Sequence, residues 1–189
     1  VEFARRFKER LGASNLLEQM ALPFALNRLY LWAPANWLDE LAPEQQDALS
    51  ALNLDQDFSI LNIDDSSKKY IRLTHPHLSD AIYKSIRPDR FGYQRANDLA
   101  NAFEKAIVSD DVLASRILLV IAQGGERISN DLNEKILAEK ISAHCGKLVE
   151  IVNKSHPINL AFIWTNLAKW ASRESYINSL FPMPPLEYA

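Results

Sequence analysis

The stretch Tyr70-Ile-Arg-Leu-Thr-His-Pro-His-Leu-Ser-Asp-Ala-Ile-Tyr83 changes its hydrophobic period at one residue pair. Tyr70, Arg72 and Thr74 alternate with Ile71, Leu73 and His75, as on a strand whose two faces differ. Leu78, Ala81, Ile82 and Ser85 then follow helical spacing. The change falls at His75-Pro76. Proline fixes the first helical residue, lacks an amide that would be orphaned there, and pushes the residue before it into extended backbone. A strand running into a helix that opens at Pro76 is therefore predicted, with His75 beside the unpaired amides of the helix N-terminus. Those amides and the helix dipole favour a phosphate or carboxylate, and a neutral imidazole there adds a donor. The other role open to His75 is to cap the helix or pack beneath it.

Upstream, Phe58-Ser-Ile-Leu-Asn-Ile63 alternates as a second strand, and Asp64 to Lys69 makes the polar turn of a β-hairpin. Asn36 to Leu41 and Pro43 to about Leu54 read as helices, the second opened by a proline with Glu44 in its first turn. Helices followed by a two-stranded hairpin and a closing helix make a winged-helix-like module over residues 34–90. DNA is the usual partner of such a module, but charge argues against it here. Asp39, Glu40, Glu44, Asp47, Asp55, Asp57, Asp64 and Asp65 lie between Pro34 and Asp65, with no Lys or Arg among them. A groove-inserting helix needs phosphate neutralisation and base-reading donors, and these carboxylates would repel the duplex.

Residues 1–33 read as a helical segment. Phe3, Phe7 and Leu11 form one stripe under a basic outer face, and Gly12 is expected to stop that helix. Leu16 to Trp32 follows, with Pro23 expected to break or kink it near Leu22 and leave Phe24 to Leu31 as a separate short helix. That second part is densely apolar, with only Asn27 and Arg28 intervening, so it must be buried on most sides. Residues 91–189 read as an α-helical region, either the first hairpins of a repeat array or a plain bundle. The predicted helices run Arg95 to Val108, Asp110 to Ala122, Ser129 to about Cys145, Lys147 to Asn153 and Pro157 to Ala171. The fold class is mainly α: a helical lid segment, a winged-helix-like domain with a small β-hairpin, and an α-helical hairpin array.

Composition bounds the function. A formal net charge of -3 over 189 residues gives no general attraction to nucleic acid or an anionic membrane, and no apolar run approaches a membrane span. The single cysteine, Cys145, excludes an internal disulfide and fits a reducing cytoplasm. His75, His77, His144 and His156 lack the spacing of a metal site, and no metal site is assigned. His144 and Cys145 are helix neighbours that point apart, so no nucleophile and base, and no catalytic residue, is assigned. Trp164, Lys169 and Trp170 could stack on nucleic acid, but Ile163, Leu167 and Trp170 share a core-like face. The chain begins at Val1 without a Met, which reads as a piece of a longer polypeptide.

Two motifs carry a family resemblance. Leu22-Pro-Phe-Ala-Leu26 resembles the end of the GLPLAL-type motif in the helical lid of STAND-class signalling NTPases, with Ala21 where the glycine is usual. Ile71 to Tyr83 is similar to the "RFRHPLLREALY" pattern that closes the winged-helix domain of the same class. The resemblance covers about the first half of the chain. It implies that Pro23 packs against the adenine and His75 reaches the β-phosphate of ADP, holding the molecule closed, while a protein partner or small ligand engages the C-terminal helices. It also implies ADP or ATP with magnesium in the parent protein, whose core site lies outside this chain, and it allows the parent to oligomerise on activation. No G-x-x-x-x-G-K-[ST] loop occurs, and Gly124-Gly125 is followed by Glu126-Arg127, so this piece alone is not expected to hydrolyse ATP. The alternatives are a non-enzymatic protein-binding scaffold and, less favoured, a winged-helix DNA-binding regulator.

Overall fold

The computed structural model describes residues 2–13, 16–39, 41–54, 58–62, 69–73, 76–109, 111–124, 128, 130–155, 157–173 and 179. Over them the chain is mainly helical, with one small antiparallel sheet. It divides into two compact units, Val1–Pro88 and Asp89–Ala189.

In the first unit, α1 (Glu2–Ala13) buries Phe7 and Leu11, and α2 (Leu17–Asn27) buries Met20, Phe24 and Leu26. The rings of Phe7 and Phe24 meet edge to face with centroids 6.2 Å apart. Ile71, Leu73, Ile82 and Tyr83 complete this core from β3 (Lys69–Leu73) and α4 (Pro76–Ile86). The sheet has the order β1-β3-β2, with β2 (Phe58–Asn62) antiparallel to β3 and β1 (Ala33–Pro34) on the other side. A 3-10 helix (Ala35–Leu38) and α3 (Pro43–Leu54) lie between β1 and β2 in the chain. The hairpin and the helix opening at Pro76 agree with the period change in the sequence. The predicted helix from Asn36 to Leu41 is instead a 3-10 turn ending at Leu38.

Three further expectations for this unit are corrected. Gly12 does not stop α1, which runs through it to Ala13. Pro23 does not break α2, which is continuous to Asn27. A proline in that position deprives the Gln19 carbonyl of its partner, but Gln19 is exposed and water can serve it, while Met20 and Phe24 hold the helix from the core side. Lastly, Phe24 to Leu31 is not a separate helix: Tyr30 N–H donates to Asn27 O at 3.0 Å and Leu31 N–H to Leu26 O at 3.0 Å.

This pair of bonds is the Schellman termination, whose left-handed position usually holds glycine. Here it holds Tyr30, at φ 61° and 59 % exposed. Tyr30→Gly is expected to raise stability by up to about 1 kcal/mol, and Tyr30→Val, branched at Cβ, to lower it by about as much. Urea unfolding of the three proteins gives the order. Wild type more stable than Tyr30→Gly would mean that the ring contributes more than the strain costs.

In the second unit α5 (Tyr93–Ser109) packs on α6 (Asp111–Gln123) and on α7 (Glu134–Ser155), and α8 (Pro157–Ala171) packs on α6 and α7. Buried Ala96, Ala100, Ala102 and Ala106 make α5 slim enough for close approach, and Leu99, Phe103, Ile117, Leu137 and Trp170 fill the centre. The predicted break near Gly146 is absent. One glycine in a helix costs about 1 kcal/mol, which the packing of a 22-residue helix exceeds. That helix begins at Glu134 and not at Ser129, because Asn133 Oδ1 accepts from Ile136 N–H at 3.1 Å and caps it there.

Candidate functional site

Asn27 and Arg28, the two polar residues in the apolar stretch, organise the region. Asn27 is 3 % exposed and lies at the end of α2. Its side-chain amide donates to Leu31 O at 3.1 Å and Ile71 O at 3.3 Å, and its Oδ1 accepts from Leu73 N–H at 2.7 Å. One side chain thus satisfies backbone groups of the α2 terminus and the last turns of β3 that would otherwise be buried without partners.

Arg28 is 1 % exposed and carries its charge into the core. Its Nε donates to Asp80 Oδ1 at 2.8 Å, and its guanidinium lies 5.4 Å from the centre of the Tyr83 ring. Asp80 Oδ2 is also 3.2 Å from Lys84 Nζ on the exposed side. Both Asp80 and Tyr83 belong to α4, so the end of α2 is braced against α4 as well as against β3.

Leu73 ends β3 and Pro76 begins α4, so Thr74 and His75 are the two residues between them in sequence. His75, the residue the sequence singles out, lies outside the described residues. His77 is exposed, and its ring meets Tyr30 edge to face at 6.4 Å. Ser79 is fully buried in α4, and its hydroxyl oxygen has no hydrogen-bond partner among the described residues. Pro23 is buried within α2.

The far end of α4 is tied down too. Arg87 donates twice to the Glu18 carboxylate, at 2.9 and 2.7 Å, and this pairing holds the Glu18 carboxyl below the usual carboxylate range. Lys8 Nζ donates to Ser85 O at 2.6 Å.

Comparison with family models, with curated proteins and with solved structures gives no match. What the region does chemically must therefore come from its own groups.

Among the described residues no three His, Cys, Asp or Glu side chains gather where a metal could be held. No helix among them is long and apolar enough to cross a membrane. In the second unit, Trp170 is 1 % exposed and Leu167 fully buried, so that face of α8 is core and not a stacking platform. His144 Nε2 lies 3.6 Å from Glu104 Oε2. The Arg28–Asp80 pair was not named from sequence, since 52 residues separate its members. Its signal was the placing of two polar side chains in a run that had to be buried.

Proposed function

We propose that this chain is the regulatory portion of a STAND-like signalling ATPase. It couples the ADP or ATP state of a nucleotide core outside this chain to sensing of a ligand or partner, and is not itself catalytic. The observation that carries the proposal is the bonding of the two residues just after the first resembling stretch to the second stretch. Asn27 and Arg28, which follow Leu22-Pro-Phe-Ala-Leu26, hold β3 and α4 on either side of His75. The sheet order β1-β3-β2, with α2, the 3-10 helix and α3 before the hairpin, supports a winged-helix reading of the first unit. In that reading α2 belongs to the winged helix. Pro23 is buried there by the chain's own core, so the nucleotide assignment rests on His75.

The parts of this chain that fit a phosphate are His75 and the N–H groups that open α4. A bound nucleotide would supply the charge that draws these groups together, and magnesium and the hydrolytic chemistry belong to the core. The two-residue step from β3 to α4, braced from α2, is short enough that movement of His75 carries the first unit with it. The closed, ADP-bound form and an open, ATP-bound form then differ in whether His75 meets phosphate. The reading places the protein in the cytoplasm.

The test is the nucleotide released on denaturing the intact parent protein, purified without added nucleotide, in wild type and His75→Ala. Near-stoichiometric ADP in the wild type and a loss of about tenfold or more in the variant are expected. Equal ADP in both returns His75 to capping, and none in either removes the nucleotide reading.

A protein-binding scaffold is the second reading. Phe91 and Tyr93 favour it, being 68 % and 48 % exposed at the start of the second unit with rings 6.2 Å apart. Exposed aromatic pairs held on a stiff turn are common anchors for protein partners.

A further inference from the structure

We propose that the exposed aromatic pair Phe91 and Tyr93 of the second unit is a docking ledge for a proline-rich strand, and that its occupant is the chain's own segment Phe181-Pro-Met-Pro-Pro-Leu186. The segment lies outside the described residues, and both partners belong to the second unit. The proposal does not rest on nucleotide binding.

The turn that opens the unit builds the ledge. Asp89 accepts from Phe91 N–H at 2.9 Å and from Gln94 N–H at 3.0 Å, and Gly92 O accepts from Asn133 N–H at 3.3 Å. Gly92 itself is buried, at φ 69°, between two exposed residues. The backbone between the rings is thus seated on Asn133, while the rings are 68 % and 48 % exposed with centroids 6.2 Å apart. Each ring has only two torsions to lose, and the turn beneath is already fixed, so little ordering opposes a ligand.

Chemistry selects the ligand. Aromatic surfaces set side by side recognise polyproline II strands, whose prolines arrive with φ already set. Three of the chain's nine prolines, Pro182, Pro184 and Pro185, fall within four positions, which makes this segment the one suited to that conformation. With three residues per turn, Pro182 and Pro185 share one edge of it. Arg90 beside the ledge is exposed and Glu187 follows the segment, so the charges next to the two partners are opposite.

The end of α8 puts the segment within reach. Arg173 Nη2 donates to Glu134 Oε1 at 2.7 Å, Glu134 follows Asn133, and Asn133 N–H bonds Gly92 O. Arg173 is therefore one ion pair, one peptide step and one backbone hydrogen bond from the ledge. Laid end to end this path is roughly 20 Å at most, and the seven residues from Glu174 to Leu180 span up to about 25 Å when extended. Ser179 among them is helical, which shortens the span, but the segment itself adds about 3 Å per residue. So short a tether keeps the segment near the ledge at an effective concentration of about a millimolar, and weak contacts suffice.

The test uses the intact 189-residue chain, which holds two methionines: Met20, buried in the first unit, and Met183, in the segment. Methyl-labelled methionine gives one control signal and one probe by NMR. The Met183 methyl should show NOEs to the Phe91 and Tyr93 rings, and be displaced from its position in a free peptide of residues 181–189, at every protein concentration. Phe91→Ser with Tyr93→Ser should return it to the free-peptide position. So should Pro182→Ala, Pro184→Ala and Pro185→Ala together, a variant that leaves every described residue intact. Added 181–189 peptide should bind that proline variant, read at Tyr93, at least about tenfold more tightly than wild type, whose own segment competes. The proposal is overturned by a free-peptide position in wild type, by a displacement that survives loss of both rings, or by equal peptide binding in wild type and proline variant. A displacement that grows with protein concentration would assign the contact to a second copy and would overturn it too.

Discussion

Gly92→Ala should lower the stability of the second unit by about 3 kcal/mol or more, a large share of what a domain of this size has. Gly92 has φ 69°, in the left-handed region where a side chain is strained. Beyond that strain, an added Cβ would stand 2.5 Å from Asp131 O, 2.8 Å from Leu132 Cα and 2.9 Å from Asn133 N, all backbone atoms that cannot swing away. The contact is a built one. Gly92 O accepts from Ala96 N–H at 2.9 Å and from Asn133 N–H at 3.3 Å, and Arg95 bonds Asp131 O from the next turn. Asp89 completes the turn by accepting from Phe91 and Gln94 N–H, and the Gln94 bond above all holds its carboxyl below the ordinary range.

Gly12→Ala is the control for that experiment. Among the described residues its added Cβ would meet only Leu17 Cδ1 at 3.4 Å, ordinary van der Waals distance, and it lies in α1, where alanine is favoured by up to about 1 kcal/mol. Because the chain has two units, the fluorescence of Trp164 and Trp170 should be read apart from that of Trp32 and Trp37, by replacing one pair at a time. A loss of less than about 1 kcal/mol in Gly92→Ala would mean that the 131–133 backbone yields, and that the turn is not a fixed joint.

Gly92 also shows where the sequence stops being legible. Its place in a loop between Pro88 and α5 can be read from composition, but its positive φ depends on strands of backbone some forty residues away. The hairpin of β2 and β3 was visible because each face writes its own alternation. β1 was not, since two residues, one of them a proline, carry no period, and only the register against Ile71 makes them a strand. Pro23 and Gly146 misled for one reason: local propensity speaks against a helix there, and the rest of the helix outweighs the cost of one residue. At the candidate site, the period change located the junction of β3 and α4, and the polar pair in the apolar run marked Asn27 and Arg28. What they bond to was hidden, because long-range partners leave no spacing to read. His75 rests on its sequence position and on the resemblance.

Asp80→Ala is expected to cost about 3–5 kcal/mol, more than Arg28→Met, even though both remove the same ion pair. The asymmetry follows from burial. Without Asp80, the Arg28 guanidinium remains in the core at 1 % exposure and loses the carboxylate 2.8 Å from its Nε. Without Arg28, Asp80 keeps Lys84 at 3.2 Å and a side chain 19 % exposed, so water and that lysine can still solvate it. The double variant Arg28→Met with Asp80→Leu should recover part of the loss, because apolar replacement of both partners leaves no stranded charge. A double-mutant cycle by urea unfolding, read on Trp32 and Trp37, gives the coupling. Coupling below about 1 kcal/mol would make the pair equivalent to a surface bridge. Strong coupling would make it the brace that fixes α4 against α2, and so the part of the first unit that sets where the residues between β3 and α4 are presented.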